Sequence, residues 1–317
     1  MKVVTRMTYQ PELLVTAGSV AEVERMLEAG ASAVIVGEQK YGMRLPGDVT
    51  LADIALCIPI VRKYGAKLYV SANNILHNDV LNDLPAYLQQ LEALGVDAVI
   101  FGDPAILMSV RQAAPSLKLH WNAEMTSTNY MTARYWQKRG SKRIVAAREL
   151  NMEEIQEMKR QLPDMEVEVQ IHGMTNIYHS KRNLVQHYFH HIGDDEQANN
   201  VGLDRKMFLI EQERQDEKYP LYEDINGTHI MSSDDVCIIE DFKFLLDARI
   251  DSFKIEGLLK STTYNEMVVR VYREAIDAYV ANPEQYEFKE EWLERIRSVQ
   301  DPERELSFGF FYKEQMY

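Results

Sequence analysis

Two rhythms of apolar and polar positions take turns along this chain. A period of two marks strands, and apolar residues at three- and four-residue spacing mark helices. Glu12–Thr16 predicts the first strand. Ser19 then caps a helix with Glu22 in the reciprocal position, Val20, Val23, Met26 and Leu27 as the apolar face, and Gly30 at its end. Ala33–Val36 predicts a second strand and residues 51–64 a helix. Residues 67–70 predict a third strand. Residues 77–94 read as helix, broken or restarted at Pro85. Further strands are predicted over 97–101, 118–121 and 143–146. Between and after them come a helix over 128–139, closed by Gly140, and one capped by Asn151 with Glu154. In a seventh strand Val167, Val169 and Ile171 alternate with Glu168, Gln170 and His172 until Gly173 breaks it. Ser252–Ile255 predicts the eighth strand, followed by a helix over 263–280.

Eight short strands alternating with helices predict an α/β fold, a parallel (β/α)8 TIM-type barrel. The competitor is an open doubly wound sheet, which usually carries a glycine-rich phosphate loop after its first strand. Here that place holds Thr16-Ala17-Gly18-Ser19, with one glycine. The regularity fails between strands seven and eight. Residues 234–248, with Val236, Ile239, Phe242, Leu245 and Leu246 as a stripe, predict the missing barrel helix. Residues 174–232 read as a charged, flexible insertion that lies over the site as a lid or partner surface. The barrel domain is therefore expected over 1–281. Residues 282–317 form a C-terminal extension with one short helix and an aromatic tail expected to dock.

The chain has 317 residues, 46% hydrophobic and 26% charged, the profile of a soluble globular protein. It has no apolar run long enough to span a bilayer, and residues 1–15 lack an export signal, so a cytoplasmic protein without a membrane partner is expected. Cys57 and Cys237 both fall in apolar patterns read as helical, and neither reads as a nucleophile. Two thiols cannot supply the four thiolates of an ordinary iron–sulfur cluster or an all-cysteine zinc site. The net charge of −14 argues against indiscriminate nucleic-acid binding. Lys138, Arg139, Lys142 and Arg143 read as a solvated helix end, and Lys181 with Arg182 as a separate basic spot.

Residues just past barrel strands converge on one mouth. Here they are Arg44, Asn73, Asn74, His77, Asp103, Asn122, Glu124, Arg148, Glu149, His172, Lys254 and Glu256. Arg182 reaches in from the insertion. This set suits a small anionic ligand, with arginine forks on carboxylates and asparagines fixing orientation. Glu124, Glu149 or Glu256 serves as a base if burial raises its pKa. The plainer alternative is closed ion pairs, such as Arg148 with Glu124. His187, His190 and His191 have metal-ligand character, but chance histidines in a loop explain them more simply, and no metal site is expected. The sequence has no HExxH, no GxSxG and no phosphate-binding glycine loop.

Residues 166–189 resemble the signature of the collagenase-like peptidase family, the family numbered 32 among peptidases of unassigned mechanism. Glu168, His172, Gly173, Ser180 and Arg182 match its pattern, as do the segments ELLVTAGS, YGMR, NNILHND, ARELNMEEI and SFKIEGLLKS. Two signature cysteines are replaced, by Asn176 and Asn183, and a later cysteine pair has no counterpart near residues 199–204. The resemblance implies RNA modification. Better understood members make 5-hydroxyuridine or 5-hydroxycytidine, with prephenate as a required metabolite and an iron–sulfur requirement. In some bacteria a short and a longer paralogue act together, and this chain is similar to the short one. That implies a tRNA wobble-uridine hydroxylation subunit that meets tRNA through a complex with a longer, cysteine-bearing paralogue. The cluster would sit on that paralogue, and prephenate is a possible ligand of this chain. His172, Glu124 and Glu256 are then the candidate catalytic groups. Arg44, Asn73, Asn122, Arg148, Ser180, Arg182 and Lys254 are the candidate binding groups. A non-catalytic scaffold and a peptidase remain as alternatives, the latter without a visible nucleophile–base or metal constellation.

Overall fold

A computed structural model describes residues 9–122 and 128–313. Strands and helices alternate as β1 (Glu12–Thr16), α1 (Val20–Glu28), β2 (Ala33–Val36), α2 (Leu51–Lys63), β3 (Lys67–Ala72), α3 (Asn78–Leu81) and α4 (Leu84–Leu94). They continue as β4 (Ala98–Phe101), α5 (Pro104–Ala113), β5 (Leu119–Asn122), α6 (Tyr130–Gln137), β6 (Ser141–Val145), α7 (Met152–Gln161) and β7 (Glu166–Gly173). Local chemistry sets the helix starts. The Ser19 side chain accepts from Glu22 N, and Thr50/Asp53 and Asn151/Glu154 form reciprocal capping boxes. Pro85 falls in the first turn of α4, where its missing N–H costs nothing, so the helix restarts there.

The insertion is not the flexible segment its composition suggests. It forms β8 (Asn176–Ser180), α8 (Leu184–His191), α9 (Asp195–Ala198), β9 (Met207–Ile210), β10 (Lys218–Asp224) and β11 (Gly227–Met231). The four strands make an antiparallel sheet in the order β8-β11-β10-β9. The Asn226 side chain, in the turn between β10 and β11, pins this sheet to the barrel. Its Nδ2 donates to the carbonyls of Gln39 (3.0 Å) and Gly42 (3.2 Å), and its Oδ1 accepts from Asn74 Nδ2 (2.7 Å).

The chain then returns through β12 (Asp235–Cys237), α10 (Phe242–Asp247), β13 (Ser252–Ile255), α11 (Thr262–Ala281), α12 (Glu290–Arg297) and β14 (Leu306–Ser307). The segment read as one helix over 234–248 is thus a strand, a turn and a short helix. β12 runs antiparallel to the end of β7 and parallel to β14, so the aromatic tail docks by strand pairing. Cys237 accordingly lies on a strand, not a helix.

β1 to β7 and β13 pair in parallel, and β13 bonds both β1 and β7, which closes an eight-stranded barrel. The interior is layered. Leu14, Ile35, Ile100 and Val145 form an apolar middle. Below them Arg143, 1% exposed, donates to Glu12 Oε1 (2.6 Å), Glu166 Oε2 (2.6 Å) and Glu168 Oε2 (3.1 Å). This corrects the reading of Arg143 as part of a solvated helix end. It lies inward on β6 because three carboxylates from β1 and β7 meet it there. Burial pushes the Glu12 carboxyl up, but Arg143 outweighs it and holds the group down at about 2.

Candidate functional site

The upper layer of the barrel is polar. Asn73 Oδ1 accepts from Ser71 Oγ and from Met43 N, both at 2.9 Å. This tie holds the loop after β2 and presents Arg44, whose φ of 55° is unusual for a residue with a side chain. From β13, Lys254 Nζ lies 3.1 Å from Glu256 Oε2. Glu256 Oε1 accepts from Thr16 Oγ1 (2.7 Å) and Leu258 N (3.2 Å). Gly173 makes room for this arrangement. At φ 99°, any Cβ there would collide with the carbonyl oxygen of Glu256.

Arg44, Asn73, Asn122, Lys254 and Glu256 line one cavity of about 40 Å³, together with Thr16, Ser71 and Glu168. A neighbouring space of about 20 Å³ shares Arg44 and Glu256 and adds Arg148, Gln170 and Asn176. A groove of about 460 Å³ lies between the end of β6, the small sheet and the tail, sharing Arg148, Gln170 and Thr175. Its charged lining has five carboxylates against Arg148, Arg214 and Lys313, so the groove is less suited to an anion than the barrel mouth.

Glu168 is a wall residue that the candidate binding set did not include. Its side chain is fully buried, with Oε2 on Arg143 and Oε1 without a hydrogen-bond partner among the described residues. Burial raises its pKa, while Arg143 and Lys254 oppose the rise. The signal was available in the sequence: a glutamate between Val167 and Val169 at an inward position of a core strand.

The other expected residues lie elsewhere. His172 was expected at the mouth, in step with Glu168 and Gln170. Between β7 and β13 the register runs Lys254↔Gln170 and then Ile255↔His172, skipping one residue. That bulge turns His172 to the face of Ile255, against the helix layer. Its Nε2 meets Tyr264 OH at 2.7 Å. Burial pulls its pKa down to about 3, against the pull of Asp235. Ser180 ends β8 and Arg182 lies in the bend after it, and neither lines any of these spaces. Ser180 Oγ accepts from Arg182 N (3.2 Å), and the exposed Arg182 gives its carbonyl to Thr228 Oγ1 (2.8 Å). Arg148 pairs with Glu149 at 3.1 Å. Asp103 caps α5 through Ala105 N. Glu124 lies outside the described residues.

His190 Nδ1 is 2.7 Å from Asp195 Oδ1, and no group of three ligating side chains that could hold a metal forms among the described residues. The thiols do not fit an iron–sulfur cluster. Cys57 is on α2 and Cys237 on β12, both buried, and burial pushes each up to about 11, away from the thiolate a cluster needs. No helix among the described residues is long and apolar enough to cross a membrane.

The chain has known counterparts. tRNA hydroxylation protein P2 of Bacillus subtilis (strain 168) is 50% identical over 309 residues, covering 97% of this chain and 99% of that protein. tRNA hydroxylation protein P1 of the same organism is 34% identical, covering 98% of this chain and 74% of that longer protein. The solved structure of a U32 peptidase matches with a TM-score of 0.50 at 14% identity, over 79% of this chain and 94% of its own, a likeness of fold. The sequence profile of Peptidase family U32 matches residues 18–317, and the chain belongs to that family.

Proposed function

We propose that this chain is a subunit of a tRNA-hydroxylating system and that its barrel mouth binds a small anionic metabolite. The observation that carries the assignment is the 50% identity, end to end, with a protein named for tRNA hydroxylation. The mouth supplies the chemistry for the second half: Arg44 and Lys254 as cations, Asn73 and Asn122 as orienting amides, all buried. Glu256, hydrogen-bonded by Thr16 and Leu258 N, is the acid–base candidate within that lining, and Glu124, which follows β5 in the sequence, is the other. Arg148 guides the ligand from the groove. His172, bonded to Tyr264 OH on the helix side of β7, serves the packing of α11, and Ser180 with Arg182 serves the outer surface.

In its finer form the reading is prephenate-dependent conversion of the wobble uridine to 5-hydroxyuridine, in the cytoplasm. A cavity of about 40 Å³ admits only a head group, so one carboxylate end of such a metabolite would enter and the ring would lie outward. The iron–sulfur cluster is assigned to a longer, cysteine-bearing paralogue that also supplies much of the grip on tRNA. The pairing of a short and a longer relative in one organism supports this division.

The test is nucleoside mass spectrometry of tRNA from a deletion strain complemented with wild type or with Lys254→Met. Loss of 5-hydroxyuridine on deletion, with return only on wild-type complementation, is the expected outcome. An unchanged modification on deletion, including in a strain lacking both paralogues, overturns the tRNA reading. Full rescue by Lys254→Met overturns the mouth as the working site and leaves a scaffold.

A further inference from the structure

Glu168 stands between two layers of the barrel. Ser252↔Glu168 and Lys254↔Gln170 are paired neighbours, so Glu168 lies one inward step below Lys254, at the floor of the mouth cavity. Arg143 holds it from beneath through Oε2. Arg143 is itself fixed by Glu12 and by two bonds to Glu166, at 2.8 and 2.6 Å. Glu168 lines the cavity, and its Oε1 is fully buried and without a partner among the described residues. A buried acceptor in that state costs free energy unless something donates to it.

We propose that Glu168 Oε1 is an acceptor built for the ligand, and that the mouth selects small carboxylic acids carrying a hydroxyl next to the bound carboxylate end. This rests on the anion-binding reading of the mouth and departs from its prephenate form, because neither carboxylate of prephenate has a hydroxyl on the neighbouring carbon. The reasoning is by charge. A ligand carboxylate placed against Glu168 would face a like charge in a poorly solvated space. An ammonium would satisfy Glu168, but Arg143 below and Lys254 beside it disfavour a further cation. A neutral hydroxyl donates to Oε1 and opposes nothing, while the carboxylate it accompanies reaches the Lys254 and Arg44 side of the cavity. In the free protein a water can take the same place. A hydroxyl displaces that water and restores its bond, whereas a methylene displaces it and restores none.

Three four-carbon dicarboxylates isolate this choice: malate carries a hydroxyl where succinate carries a hydrogen and aspartate an ammonium. Binding to the full chain is followed by ligand-observed NMR titration. A hydrogen bond to a charged acceptor corresponds to about a tenfold preference for malate over succinate, with aspartate weaker than malate. In Glu168→Gln the amide turns its oxygen to Arg143 and its N–H₂ to the cavity. The malate preference should then fall to near unity while succinate still binds. Lys254→Met should weaken all three acids together. Equal binding of malate and succinate by the wild-type chain overturns the proposal, and needs no variant to fold. So does a Glu168→Gln chain, folded by circular dichroism, that keeps the preference. If wild type binds none of the acids, or Lys254→Met binds them unchanged, the anion reading of the mouth falls, and this proposal with it. Loss of the malate preference alone, with the Lys254→Met effect intact, sinks only the role of Glu168.

Discussion

On β7, Glu168 points into the barrel with its carboxylate on Arg143, and His172, beyond the bulge, faces α11 and bonds Tyr264. The burial of His172 has a thermodynamic consequence. The unfolded chain takes a proton on this imidazole as the pH falls through its ordinary value near 6.5, whereas the folded chain resists until about 3. Stability is therefore full above 6.5 and is lost as the pH falls, at ~1.4 kcal/mol per unit for one such histidine. His120, whose pKa burial also depresses, adds a second contribution of the same sign. Between pH 6 and 5, His172→Gln should lower the slope of unfolding free energy against pH by about 1 kcal/mol per unit, as read by urea denaturation. An unchanged slope would mean that His172 is not buried neutral. Gly173 is tested more simply. With φ at 99° and the Glu256 carbonyl in the way, Gly173→Ala should cost at least about 2 kcal/mol in thermal or urea unfolding and disturb the mouth as well.

Among elements, β12 and β14 join the C-terminal extension to the barrel, and one carboxylate lies at the joint. Asp235 is fully buried and accepts from Gln300 Nε2 (2.7 Å) and Arg304 Nη2 (2.9 Å), with Lys260 as its other cation. Burial pushes Asp235 up, but Lys260 and Arg304 outweigh it and bring it to about 2. Asp235→Asn leaves two buried cations without their counter-charge, a change that costs roughly 3–5 kcal/mol in comparable sites. The expected result is a lower urea midpoint together with faster proteolysis after residue 283. The small sheet is held differently, by neutral hydrogen bonds of Asn226 and by the apolar cluster of Met174, Tyr222, Met231 and Leu258. Asn226→Ala should leave global unfolding within about 1 kcal/mol of wild type while speeding cleavage within residues 193–217, because only a local docking contact is lost. Equal protection of that segment in both proteins would show that the sheet is anchored elsewhere.

At the scale of the molecule, a net charge of −14 bears on the tRNA assignment. A polyanion is gripped by clustered cations, and affinity then falls steeply with salt. This chain by itself should show no measurable tRNA binding at physiological ionic strength in a filter assay. Addition of the longer paralogue should produce binding with a clear salt dependence. Tight binding by the isolated chain would overturn the division of labour. The barrel itself was legible in the sequence. β1, β2 and β13 fall where the short strand-like runs Glu12–Thr16, Ala33–Val36 and Ser252–Ile255 predict them, and the caps at Ser19 and Asn151 form as read. Those signals are local, since a strand period, a cap and a helix-ending glycine each need only a few neighbouring residues. The arrival of Arg44, Asn73, Asn122, Lys254 and Glu256 around one cavity also follows from the rule that barrel strand ends converge. What tertiary structure decided was everything set by a distant partner. Arg143 is interior because Glu12 and Glu168 reach it across the barrel, and residues 235–237 form a strand because β7 and β14 offer hydrogen bonds. The insertion is a sheet because its strands pair across long, charged connections. His172 left the mouth through a bulge that exists only in the pairing of β7 with β13. A sequence carries its local periodicities openly, but pairing register and the burial of charge depend on contacts between residues far apart in the chain, and those arise only when the fold closes.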